Sequence, residues 1–393
     1  MKQRPMADLA KQIRGVSYKP TDLHDQLDSN SVVLLRANNI ADGELNFDDV
    51  VFVDKSKVSQ TQCLQQGDIL ICASSGSLNL VGKAAQVNVS GEYTFGAFCK
   101  IVRPLNINAN YLGAFFRSPY YRRAISALAQ GVNINNIKNE HIDSLMVSCP
   151  DESTQKEVVR VIREISTIIR ARQQQLAALD TLIKARFVEM FGNPVLNDKG
   201  WKTNTVKEIT TKIGSGATPK GGKESYREEG ISLIRSMNVH NGYFEYGELA
   251  HISDEQADKL SNVIIEEEDV LLNITGASVA RSCVVPDDVL PARVNQHVCI
   301  IRCKHDIVPQ FMNCILTDEN YQKLLWEIAG SGATREAITK QQVEGLKIIM
   351  PPMDLQEQFA AFVTQVDKSK AVVQKGLDEA QMLFDSLMQQ YFG

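Results

Sequence analysis

The chain has 393 residues, enough for two or three domains with cores of their own. It is 44% hydrophobic and 23% charged, ordinary proportions for a globular protein, and no apolar run approaches the length of a membrane span. The formal charge of −5 argues against a simple basic nucleic-acid binder, but the charge is uneven: residues 1–150 carry net +2 (15 basic against 13 acidic), while 193–350 carry net −5 (17 against 22).

From the N-terminus, MKQRPMADLAKQIRG lacks the apolar core of an export signal. The runs VVLLRA, DDVVFV, GDILICA and FCKIVR are β-rich and bounded by turn residues, which predicts short strands. NANYLGAFFRSPYYRRAISALA has helical spacing, and DSLMVSCP is extended and closed by a proline. A long helix follows, with apolar residues at Val158, Ile162, Ile165, Ile169, Leu176, Leu179, Ile183 and Met190, and with Arg172 and Arg186 in the intervening slots. That 3-4 spacing predicts a coiled-coil seam.

The second half then repeats the first about 200 residues on. Arg36-x-x-Asn39-Ile40-x-x-Gly43 returns as Arg235-x-x-Asn238-Val239-x-x-Gly242, and Asp68-Ile69-Leu70 as Asp269-Val270-Leu271. ISLIRS, EDVLLNI and HVCIIRC supply the strands, PQFMNCILTDENYQKLLWEIA the helical segment, and EGLKIIMPP the closing extended stretch. A second long helix carries Phe359, Val363, Val366, Val373, Leu377, Ala380, Phe384, Leu387 and Tyr391, with Lys370 in the row, and ends in Phe392-Gly393, 201 residues after Phe191-Gly192. The expected organisation is α+β: mixed α/β heads at 1–150 and 193–350, and helices at 151–192 and 351–393, related by a pseudo-twofold repeat. Each helix could pack on its own head, but equal stripes favour antiparallel pairing, with a seam of Ile162, Ile165, Ile169, Leu176, Leu179, Ile183, Val363, Val366, Val373, Leu377, Phe384 and Leu387. A twofold object with two heads suits two sites one duplex turn apart, roughly 34 Å.

Catalytic motifs fail on inspection. Gly214-Ser215-Gly216-Ala217-Thr218-Pro219-Lys220-Gly221-Gly222-Lys223 misses the phosphate-loop spacing, because Ala217 stands where the first glycine belongs and Glu224 follows Lys223. Met350-Pro351-Pro352-Met353 lacks the amide and aromatic residues of an adenine methyltransferase tetrapeptide. Eight scattered cysteines show no C-x-x-C pair, which suggests reduced thiols in a cytoplasm, and the six histidines have neither triad nor metal spacing. Metal and catalytic residues are therefore not expected.

For DNA contacts, Arg36, Asn38, Asn39, Arg235 and Asn238 are the residue types that read base edges, although recurrence in both copies fits a shared turn equally well. The segments Lys19–Asp28, Ser74–Asn79, 220–227 and Thr275–Arg281 are better placed to differ between heads. They contribute Lys19, Ser75, Ser77, Lys220, Lys223, Thr275 and Arg281; Arg122, Arg123 and Arg335 are phosphate candidates.

The sequence resembles the specificity subunit of type I restriction-modification systems along essentially its whole length. The resemblance rests on the order head, helix, head, helix, and on IRGVSYKPTDL, LLRANNI, LDTLIKARFVEMFGNP, IGSGATPKGG, GISLIRSMNV and GSGATREAITKQQVEGLKIIMPP. It implies that each head reads half of a bipartite target in double-stranded DNA and that the helices set the spacer. It also implies a scaffold for two methyltransferase subunits, joined by restriction subunits, which would carry the S-adenosylmethionine and ATP chemistry; this chain would need no cofactor. A stand-alone methyltransferase or nuclease, and a coiled-coil adaptor that never meets DNA, are the alternatives.

Overall fold

The computed structural model describes residues 2–393 apart from 42, 78, 90, 129–134, 220 and 331–335, and leaves the side chains of 135 and 223 undescribed. The chain forms two compact units: 1–173 with 374–393, and 174–373.

In the first unit an antiparallel sheet runs in the order Ala84–Gln86, Ile69–Cys72, Cys99–Pro104, Ala10–Arg14. A second sheet pairs Ser31–Leu35 in parallel with Tyr93–Phe95 and antiparallel with Val51–Asp54, which in turn carries Leu23–His24. The second unit repeats the plan. Its sheet runs Ser282–Val284, Val270–Asn273, Val298–Cys303, Thr210–Ser215, beside a smaller sheet in which Ile231–Ile234 is parallel to Ala292–Val294 and antiparallel to Ala250–Ile252. Ile69–Cys72 and Val270–Asn273 are buried at every position, which explains why Ile69–Cys72 and Val270–Leu272 read as continuous apolar runs rather than alternating ones.

A buried ion pair joins two strands in each copy. Asp269, fully buried, accepts two hydrogen bonds from the Arg302 guanidinium at 2.8 and 2.9 Å and a third from the Glu266 amide at 2.8 Å. Asp68 does the same with Arg103, both bonds 2.8 Å, and with the Gln65 amide at 2.8 Å. The recurring aspartate before each core strand is thus a fixed brace, its charge matched by a fork that satisfies both oxygens.

Each segment expected to be one helix is two. Ala109–Phe116 breaks at Arg117-Ser118 before Pro119–Leu128, and Pro309–Thr317 breaks at Asp318 before Glu319–Gly330. In both copies a polar residue restarts the helix: Ser118 Oγ accepts from the Tyr121 amide, and Asp318 Oδ1 from those of Asn320 and Tyr321.

The long helices are Glu152–Phe191 and Met353–Phe392, 40 residues each. In the second unit they run antiparallel, with the Phe187 ring 5.6 Å from that of Phe359 and the Asp180 carboxylate 2.7 Å from the Lys370 ammonium. In the first unit Gly376 faces the Arg172 side chain. Every expected seam residue is buried or half-buried, and the stripe has a second use. Val158 and Ile162 join Met388 and Phe392 in the core of the first unit, while Phe187, Phe191, Phe359 and Val363 join that of the second. Helix pairing and packing on a head, weighed as alternatives from the sequence, therefore coexist, and Phe187 and Met388 belong to the stripe although the heptad reading passes over them.

Candidate nucleic-acid interface

The Arg-x-x-Asn motif forms a corner. Asn39 Oδ1 accepts from the Arg36 amide at 2.8 Å, while its Nδ2 donates to the carbonyls of Asn46 at 2.9 Å and Asp49 at 3.0 Å. Asn238 repeats this with the Arg235 amide at 3.0 Å and the Glu245 carbonyl at 2.9 Å. Both asparagines are buried, at 1% and 0% exposure, so as base readers they are corrected to turn framework. Arg36 and Asn38 share the Asp49 carboxylate at 2.9 and 2.7 Å, and Arg235 bonds the Glu248 carbonyl and lies 5.3 Å over the Tyr226 ring. These side chains order their own turns.

Other candidates fall elsewhere. Lys19 is exposed, and its amide donates to Asp22 Oδ2 at 2.8 Å. Arg122 braces the 79–81 segment through the Val81 carbonyl at 2.8 Å, and Arg123 meets the Gly393 carbonyl at 3.2 Å. Arg281 Nη1 lies 3.5 Å from His240 Nδ1. Lys220 and Arg335 lie outside the described residues, and Lys223 is described only in its backbone, within the turn Gly222–Ser225.

What the structure brings together is a junction at the end of the core strand, repeated bond for bond. In the first unit the Ala73 amide donates to the Phe98 carbonyl at 2.9 Å, and the Ala73 carbonyl accepts from the Ile137 amide at 2.8 Å. Ile274, His297 and Ile338 make the same two bonds at 2.9 and 2.8 Å. Ser75 pairs with Asn135 and Ser74 with Asn136; Thr275 bridges Ala337. On this shared backbone the side chains diverge. The first unit presents Ser75, Ser77 and Phe98, which is 71% exposed. The second presents Thr275, hydrogen-bonded to His297 Nδ1, and Thr218, whose hydroxyl meets Gln296 Oε1 at 2.5 Å. Beside the first junction Lys100 donates to Asn139 Oδ1 at 2.5 Å, and burial pushes the pKa of its ammonium down.

Phe98, Thr218, Gln296 and His297 were missed from sequence. Phe98 reads as the start of the strand FCKIVR, but it occupies the turn before Cys99. An aromatic between Gly96 and a strand, in the pattern Gly-Ala-Phe, was the available signal.

The glycine-rich run also has its explanation. A Cβ on Gly216 would sit 1.8 Å from the Val294 carbonyl oxygen, and one on Gly15, 201 residues earlier, 2.1 Å from that of Gly96. Both glycines allow the strand to pass against backbone, a packing role. Likewise Met350-Pro351-Pro352 is a joint: the Met350 amide donates to the Lys202 carbonyl at 2.7 Å, and the Pro351 carbonyl accepts from Gln356 at 3.0 Å. Among the described residues no helix is long and apolar enough to cross a membrane.

Comparison with known proteins agrees with this duplicated plan. Residues 198–380 match the family model of the type I restriction modification DNA specificity domain. The EcoKI specificity subunit of Escherichia coli (strain K12) is 23% identical over 411 residues, covering 98% of this chain and 86% of that one. The StySPI specificity subunit of Salmonella potsdam is 26% identical over 409 residues, with the same coverage. The crystal structure of a type I system S subunit from M. genitalium shares the fold at a TM-score of 0.62 and 14% identity, over 100% of this chain and 96% of that one. Residues 198–380 therefore match the type I restriction-modification DNA specificity domain, and the chain over nearly its full length is similar to specificity subunits of such systems.

Proposed function

We propose that this chain is the sequence-recognising subunit of a type I restriction-modification complex. Residues 1–150 and 193–350 are its target-recognition heads, each reading half of a bipartite site in double-stranded DNA; 151–192 and 351–393 are the helices that fix the spacer. The observation that carries this reading is the repeated junction, in which one backbone frame holds different side chains in the two copies. A protein that reads two unlike half-sites with one scaffold needs that combination. Ser75, Ser77 and Phe98 in the first head, and Thr218, Thr275, Gln296 and His297 in the second, are the proposed readers, with Lys19, Lys220, Lys223 and Arg335 at phosphates. Methyl transfer and cleavage fall to partners, two methyltransferase subunits and the restriction subunits, which act with it in the cytoplasm.

Footprinting of the chain with its methyltransferase partner tests this. The expected result is protection of two short blocks separated by an unread spacer. Methyl transfer by the purified chain alone would refute the division of labour, and assembly without any DNA protection would favour an adaptor.

A further inference from the structure

The second unit holds a cavity of about 1100 Å³ between its share of the long helices and the helix pair Pro309–Thr317 and Glu319–Gly330. The first unit shows what fills the same place there. The matched caps at Ser118 and Asp318 set Arg117 opposite Thr317 and Gly113 opposite Asn313. The Arg117 guanidinium lies 5.8 Å over the Phe384 ring, its stem against Gly43, and Arg170 reaches the Glu44 carboxylate at 3.5 Å. The Gln86 amide occupies the space above Gly113.

Each of these fillers is gone in the second unit. Thr317 replaces Arg117, Ala371 replaces Arg170, and Val284 replaces Gln86; Ile183 and Tyr243 stand for Phe384 and Glu44. Asn313, 7% exposed and part of the cavity wall, keeps an acceptor, Oδ1, with no hydrogen-bond partner. An unpaired buried acceptor is costly unless a donor arrives. Asp367 lies on the same wall, exposed and 3.7 Å from a Lys370 that is held more tightly by Asp180. Lys184 is similarly engaged by Glu319 at 3.0 Å. Apart from the exposed lysines Lys323 and Lys368, which also line the cavity, the groups left to a ligand are an amide oxygen, a carboxylate and the half-exposed ring of Tyr243: two acceptors and an aromatic face, which suit a guanidinium.

We infer that this cavity is a docking slot for an arginine side chain of a protein partner and, resting on the functional reading above, that the partner is the methyltransferase subunit. The arginine takes the place that Arg117 and Arg170 fill from within in the first unit. Two methyltransferase subunits would then dock inequivalently, because Arg117 and Arg170 already occupy the matching place in the first unit.

The test uses the full chain with its methyltransferase subunit. A Thr317→Arg, Ala371→Arg double variant supplies the guanidinium groups internally; it should melt no lower than the wild type and bind the subunit about ten-fold or more weakly. Asn313→Leu, which removes the acceptor with little change in volume, should weaken binding in the same direction. N-acetyl-arginine amide at millimolar concentration should compete for the wild-type chain, whereas N-acetyl-citrulline amide should not. Folded variants that bind as the wild type does, with no competition by the arginine amide, would overturn the inference. Saturable binding of the amide by a chain that never assembles with the methyltransferase would support the guanidinium chemistry and overturn the functional reading instead.

Discussion

Asp269 carries its charge into a place that water does not reach, and the partly exposed Arg302 guanidinium, which also pairs with Glu266, compensates it there. Removing one partner of such a pair leaves an uncompensated buried charge, at about 3–5 kcal/mol. Arg302→Ala, which leaves the buried Asp269 carboxylate without its partner, should lower stability by that order in a chemical-denaturation experiment, with loss of the transition's cooperativity as the signature of the second unit failing first. Gly216 and Gly15 make a prediction of another kind. A methyl group at 1.8 Å from a carbonyl oxygen forces the backbone to move, so Gly216→Ala should destabilise by about 1–3 kcal/mol, whereas Gly214→Ala, with open space around it, should not. If Gly214→Ala were the more harmful change, the loop would have a role besides packing. Thiol chemistry separates residues too. Burial pushes the thiols of Cys99, Cys283, Cys299, Cys303 and Cys314 up to about 12, while Cys63 is exposed. Alkylation at pH 8 followed by peptide mass spectrometry should label Cys63 first and leave the fully buried Cys99, Cys283 and Cys299 unmodified in the native protein.

At the level of elements, the long helices contain a residue that weakens them. Gly376 lies mid-helix, and a Cβ there would meet only the Arg172 side chain, at an ordinary 3.5 Å. Gly376→Ala should therefore raise stability by about 0.5–1 kcal/mol, read as an increase in the denaturation midpoint; a decrease would mean that the Arg172 side chain needs the gap. The helices and core strands were legible in the sequence because their patterns are local. Val158 to Met190 repeats with the period of a helix, and Ile69–Cys72 is apolar throughout. The break at Arg117-Ser118 was less legible, since Pro119 suits the first turn of a new helix and the apolar spacing continues through it. Least legible was the junction of 73–75, 98 and 137. Its parts are distant in sequence and meet only through backbone bonds, so Phe98 looked like strand and His297 like an incidental histidine. Arg36 and Asn39 drew notice for the opposite reason: they are repeated because they build the corner, and what is common to two copies cannot distinguish two half-sites.

For the whole molecule, the repeat makes the helices a shared framework and, on the proposed function, the measure of the spacer. Each runs from one unit into the other, and in the second unit they are antiparallel neighbours, so a change of length in one leaves its partner's stripe unmatched. A heptad inserted into both, after Gln173 and after Val373, keeps the apolar register to within about 20° and lengthens each helix by roughly 10 Å. On the proposed function this should lengthen the spacer of the bipartite site by about three base pairs, at 3.4 Å per pair, and leave both half-sites as they were. Selection of binding sites from a randomised duplex pool, with the chain assembled on its methyltransferase partner, measures both quantities at once. A heptad in the first helix alone should lower stability and blur the spacer, because its new apolar residues meet no partner. Altered half-sites from the matched insertion would mean that the helices shape the heads rather than space them. An unaltered spacer would mean that something other than the helices sets the distance between the two reading surfaces.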